Sequence, residues 1–116
     1  MDIEQLRSFC LSLPAVTEDV KWDNDLVFSV GGKMFCVAAL DQPFKCSFKV
    51  PDEEFEELSS KEGFSPAPYM ARAKWVLVTK ASLLHKKEWE FYIEQSYDLV
   101  KQRLTKKTRI DLGIYP

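Results

Sequence analysis

The stretch LVFSVGGKMFCVAALDQPFKCSFKV, residues 26–50, decides the fold. Two runs rich in β-branched and aromatic residues, 26–30 and 33–40, flank Gly31-Gly32. A two-residue hairpin turn needs the positive φ that glycine adopts without steric cost. Asp41-Gln42-Pro43 then punctuates the chain, and Phe44, Cys46, Phe48 and Val50 alternate with Lys45, Ser47 and Lys49. Period two over seven residues predicts a strand with one face buried and one in water.

Working outward, Ile3, Leu6, Cys10 and Leu13 recur at helical spacing. They predict an amphipathic helix over residues 2–13, ended by Pro14. Pro51-Asp52 opens a short helix over residues 53–59, whose first-turn carboxylates suit the macrodipole and whose inward residues are Phe55 and Leu58. Residues 63–68, with two prolines, read as a loop or edge segment. Residues 74–79 form another β-rich run. After Ser82, the positions Trp89, Ile93, Val100 and Leu104 describe a long amphipathic helix reaching about Leu104. The predicted class is α+β, in the order α-β-β-β-α-β(β)-α, with N- and C-terminal helices packed on one face of an antiparallel sheet. There is no repeat, low-complexity tract or linker, so a single domain is expected over residues 1–116.

A chain of 116 residues, 46% hydrophobic and 29% charged, has the composition of a packed globule rather than a disordered segment. Cys10, Cys36 and Cys46 form no C-x-x-C pair and lie in apolar-periodic segments, which suits free thiols in a reducing, cytoplasmic setting. The start of the chain lacks a signal-peptide pattern, and no stretch is apolar enough to span a membrane. The net charge of −2 is unevenly spread. Residues 1–71 carry 6 Lys/Arg against 13 Asp/Glu, whereas residues 72–109 carry 10 against 4. Such segregation is how an acidic chain can still meet a polyanion.

Catalytic patterns are missing from the sequence. The one histidine, His85, stands beside Lys86 at the entry to the last helix, and a capping or solvated role suits it. The three cysteines have no zinc-like spacing. Gly31-Gly32-Lys33 joins two strands and so lacks the strand-loop-helix context of a phosphate loop. The carboxylates of residues 52–57 point in different directions around a helix, which argues against a cation site. The expectation is therefore no enzyme, no metal and no cofactor. What remains is basic and aromatic material: Tyr69, Arg72 and Lys74 at a loop-to-strand junction, then Lys80 and Lys86, with Lys33 at the hairpin. Lysine and arginine beside exposed aromatics is a combination used on phosphates and bases.

Five segments in order resemble the MmcQ/YjbR family: Leu6-Arg7-Ser8-Phe9-Cys10-Leu11-Ser12-Leu13-Pro14, Trp22-Asp23-Asn24-Asp25-Leu26-Val27-Phe28, Val30-Gly31-Gly32-Lys33-Met34-Phe35, Lys74-Trp75-Val76 and Ser96-Tyr97-Asp98-Leu99-Val100. The resemblance implies a CyaY-like (frataxin-like) fold and a DNA-binding role in which two β-hairpins act as paired wings. Where many members carry His-Met-Asn-Lys-x-His-Trp, this chain reads Tyr69-Met70-Ala71-Arg72-Ala73-Lys74-Trp75, without either histidine. The expected function is weak, non-specific nucleic-acid (DNA) binding through a basic surface of Lys33, Arg72, Lys74, Lys80 and Lys86 with Tyr69. The alternative is a small cytoplasmic protein-interaction or regulatory domain that does not touch nucleic acid.

Overall fold

The computed structural model describes residues 1–116. The elements run α1 (Ile3–Ser12), β1 (Val16–Lys21), β2 (Asp25–Val30), β3 (Lys33–Ala39), β4 (Cys46–Lys49), α2 (Asp52–Ser59), β5 (Phe64–Pro66), β6 (Trp75–Val78), α3 (Lys86–Gln102) and α4 (Lys106–Asp111). All six strands pair antiparallel in one sheet, in the order β1-β2-β3-β4-β6-β5. Gly31 and Gly32 have φ of 59° and 79°, as the tight β2–β3 turn requires. A Cβ on Gly31 would come within 2.7 Å of Leu104. The turn is therefore packed on one side, and only Gly32 and Lys33 stand free.

The β2–β3 register shifts after Phe28, which pairs with Cys36 while Ser29 pairs with Met34. Phe35 is the extra residue of a β-bulge, so Phe35 and Cys36 both enter the core on the helix side. The bulge leaves the Phe35 carbonyl without a ladder partner. Ser96, fully buried on α3, donates its hydroxyl to that carbonyl at 2.6 Å and accepts the Lys49 amide at 2.9 Å. One hydroxyl thus pins the long helix to two strands.

The main core lies between this face of the sheet and α1, α2 and α3, with Leu6, Cys10, Leu58, Trp89, Ile93 and Val100 opposite the strand residues. The helices share one face, as expected. Trp89 meets Phe44 and Phe48 edge-on at 5.7 and 6.2 Å between ring centres. Its indole N–H donates to the Ala81 carbonyl at 3.0 Å. Tyr97 packs edge-on against Phe35 and donates its hydroxyl to the Pro14 carbonyl at 2.6 Å.

Two elements fall outside the expected order. Strand β1 contains Thr17-Glu18-Asp19, too polar to read as a strand, yet it is an edge strand whose Glu18 faces the helices. There Arg7 donates to both carboxylate oxygens at 2.6 to 3.1 Å. Helix α4 occupies what reads as a basic tail. Thr105 caps it by accepting the Thr108 amide at 3.1 Å, and Ile114 beyond it enters the core. Strand β6 begins at Trp75, because Lys74 sits at φ 64° as the cap of a 3-10 turn over Ala71–Ala73.

All three cysteines are free and buried, with Cys36 and Cys46 sulfurs 3.4 Å apart. The Cys10 thiol is pushed far up by its contact with Cys36 and by burial. Cys36, although its contact with Cys10 acts in the opposite sense, ends well above its ordinary range through Cys46 and burial. Folded Cys10 and Cys36 therefore keep their protons where the unfolded thiols lose them, near the ordinary value of 9.0. The stability that Cys10 and Cys36 contribute is intact below that pH and declines as the pH rises above it. Ellman's reagent at neutral pH is expected to label no cysteine in the native protein and all three in denaturant. Urea midpoints measured across the thiol range should fall as pH rises.

Candidate ligand-binding face

Alternation along the strands that buries Phe28, Ala38, Phe48 and Val76 under the helices sends Val27, Val37, Ser47 and Leu77 to the opposite face. No α-helix covers that side. It carries a smaller apolar cluster, Val27, Val37, Ala67 and Trp75, flanked by Met34, Met70 and Leu77. The segment joining β5 to β6 folds onto this cluster: the Ala67 amide donates to the Trp75 carbonyl at 3.0 Å, and the Lys49 ammonium caps the Ala73 carbonyl. Sheet and segment enclose a cleft of about 620 Å³ with an apolar floor of Met34, Val37, Leu77 and Met70.

Two aromatic rings stand at the cleft, Trp22 and Tyr69. Both are exposed, Tyr69 completely. Both have left-handed backbone, φ 50° and 66°, a conformation that costs a non-glycine residue roughly 1–2 kcal/mol. Trp22, Asp23 at φ 71° and Asn24 make up the β1–β2 turn. Asp25 and Lys45 also line the cleft, and neither has an ion-pair partner or a side-chain hydrogen bond.

The cations expected to share one surface are divided. The register places Lys33 and Lys74 at the Gly31-Gly32 end of the sheet, since Lys33 follows the turn and the Val50 amide donates to the Lys74 carbonyl. Arg72 precedes Lys74 in the 3-10 turn and is exposed. Lys80 lies beyond the other end of β6, where it pairs with Glu62 at 3.4 Å, an exposed contact of little energetic weight. Lys86 opens α3 near that same end, next to the His85 cap, whose amide donates to Glu88 at 2.9 Å. Lys74 is not a free surface cation: it is half-buried, its ammonium 5.1 Å from the centre of the Phe55 ring.

Charge does gather at the turn end. The buried Lys49 ammonium is held below its ordinary range by desolvation first, then by the like charge of Arg103, with Asp52 opposing and Lys74 adding to it. Reading the sequence missed Trp22, Asp25 and Lys45 as cleft residues. Their only signal was the polar-aromatic run Trp22-Asp23-Asn24-Asp25 just before a strand. No group of three or more His, Cys, Asp or Glu is arranged to hold a metal ion, and no helix is long and apolar enough to cross a membrane.

The YjbR family model matches residues 11–99. The fold is similar to the crystal structure of Deinococcus radiodurans protein DR2400, of family-model domain DUF419, at 30% identity and a TM-score of 0.87, over 98% of this chain and 88% of that one. It is also similar to the crystal structure of a protein from Pseudomonas syringae, at 22% identity and a TM-score of 0.72, over 86% of this chain and 99% of that one. None of the curated proteins matches the chain.

Proposed function

The chain belongs to the YjbR family, and from that premise we propose that it is a non-enzymatic domain that binds nucleic acid weakly, mainly through phosphates, at the turn end of its sheet and across the helix-free face. The observation that carries this reading is the meeting of cations with exposed rings. Lys33, Arg72 and Arg103 are exposed toward the Gly31-Gly32 end, with the packed Lys49 and Lys74 adding positive charge beneath them, and Tyr69, three residues before Arg72, leads onto the open face. Lysine and arginine on phosphates with aromatics for stacking is the usual arrangement of single-strand binders. Asp52 and Glu53, near Lys49 and Arg103, keep the local potential low and the affinity modest. Lys80 and Lys86 take a smaller part, being at the far end.

Within the same proposal the fold is read as a single CyaY-like domain, supported by terminal helices on one face, with the β2–β3 hairpin as one wing. The working location is read as cytoplasmic, supported by three unpaired buried thiols. A second reading, a protein-interaction domain that does not bind nucleic acid, is favoured by the apolar floor of the cleft.

Lys33 and Arg72 test the proposal most cleanly, because both are exposed and neither makes an ion pair or side-chain hydrogen bond. Lys33→Ala combined with Arg72→Ala is expected to weaken every single-stranded sequence alike and to flatten the log-log salt slope by about 1.4, at roughly 0.7 per phosphate. The melting temperature should not move. A double variant that binds like the parent would rule out the turn end as the phosphate site, and a parent that binds no strand would favour the protein-interaction reading.

A further inference from the structure

Resting on the nucleic-acid reading above, we propose that the cleft on the helix-free face is a pocket for one unstacked base of a single strand, and that Asp25 favours bases carrying an exocyclic amino group. A base is flat, apolar on its faces and polar at its edge. The cleft offers the complementary surfaces: Trp22 and Tyr69 as rings at its rim, Met34, Val37 and Leu77 as an apolar floor, and Asp25 and Lys45 as opposite charges beside them. Stacking on aromatic rings tolerates any base, because every base has a π-face.

Discrimination then falls to the edge. An ionised carboxylate only accepts hydrogen bonds. Cytosine and adenine present an amino donor to it, whereas the one ring donor of thymine, N3–H, lies between two carbonyl oxygens that repel a carboxylate. Asp25 is half-buried and without an ion pair, so its acceptor capacity is unspent, and Lys45 supplies a cation for the nucleotide's phosphate. The left-handed backbones of Trp22 and Tyr69 hold both rings out of the core, where their own burial would otherwise draw them. A paired base cannot enter without leaving its stack, so the pocket selects single strands over duplex.

The test uses the tryptophan fluorescence of the intact chain. Trp75 and Trp89 are buried and Trp22 is 62% exposed, so quenching by an added strand reports on the cleft. At low salt, short oligo-dC and oligo-dA are expected to quench Trp22 and to bind about tenfold tighter than oligo-dT of equal length. Asp25→Ala should remove the preference, bringing oligo-dC, oligo-dA and oligo-dT to equal affinity. Equal binding of oligo-dC and oligo-dT, or a preference that survives in Asp25→Ala, overturns the base pocket and leaves the nucleic-acid reading standing. Salt-sensitive binding without quenching does the same, placing the strand elsewhere. Absence of binding by any oligonucleotide removes the reading and the pocket together, and quenching by an amphipathic peptide instead would assign the cleft to a protein segment.

Discussion

Trp89→Ala is expected to lower the unfolding free energy by about 3–5 kcal/mol, the usual cost of emptying a fully buried aromatic site. The side chain is wholly inaccessible and lies against Phe44 and Phe48, rings contributed by the sheet and by the segment leading into β4. Its removal leaves a cavity where α3 crosses the sheet, and it also leaves the Ala81 carbonyl, which accepts the indole N–H, with only the long 3.4 Å bond from the Leu84 amide. A domain of this size has about 5–15 kcal/mol in total, so the variant should lose roughly a fifth or more of its stability. Urea denaturation at constant m-value measures it. Trp89→Phe separates the two contributions, since it keeps most of the ring contact and loses only the hydrogen bond, at about 1 kcal/mol.

Ser96→Ala removes a single oxygen, yet about 2–4 kcal/mol is expected to go with it. The hydroxyl is the partner of two buried backbone groups, the Phe35 carbonyl released by the bulge and the Lys49 amide at the end of β4. Each becomes an unsatisfied buried polar group, at about 1–3 kcal/mol apiece. No cavity of consequence is made, so a loss below about 1 kcal/mol in the same urea experiment would mean that water replaces the hydroxyl and that the bulge is not fastened by α3.

These two residues show where the sequence was readable. Trp89 announces itself through helical spacing with Ile93 and Val100, and the Gly31-Gly32 hairpin through glycine between β-rich runs. Ser96 carries no such signal, because its role follows from a bulge that only the pairing of β2 with β3 creates. Strand β1 was hidden for a related reason: Glu18 faces the helix side but is satisfied by Arg7, a partner eleven residues away that hydrophobic alternation does not see. Helix α4 is short and basic, held by the Thr105 cap and Ile114 rather than by an apolar stripe of its own.

The candidate site was legible in residue type and not in place. Tyr69, Arg72 and Lys33 were visible as exposed basic and aromatic residues, and the fold brings Lys33 and Arg72 toward one end of the sheet. Lys74 was not legible as a packed cation, because its left-handed backbone and its position over Phe55 arise only when the β5–β6 segment folds back on the sheet. Lys80 and Lys86 are close to the others in the chain and far along the strands, since β6 carries the chain to the opposite end. The cleft itself is a tertiary product. Trp22 arrives from the β1–β2 turn and Tyr69 from the β5–β6 segment, 47 residues later.

The most direct measurement is the salt dependence of binding to single-stranded DNA, followed from low to physiological ionic strength. Engagement of about four phosphates predicts a dissociation constant of about 10⁻⁴ to 10⁻⁶ M at physiological salt and a log-log slope near −3. Binding that is undetectable even at low salt, or an affinity that does not change with salt, would contradict a phosphate-driven nucleic-acid domain.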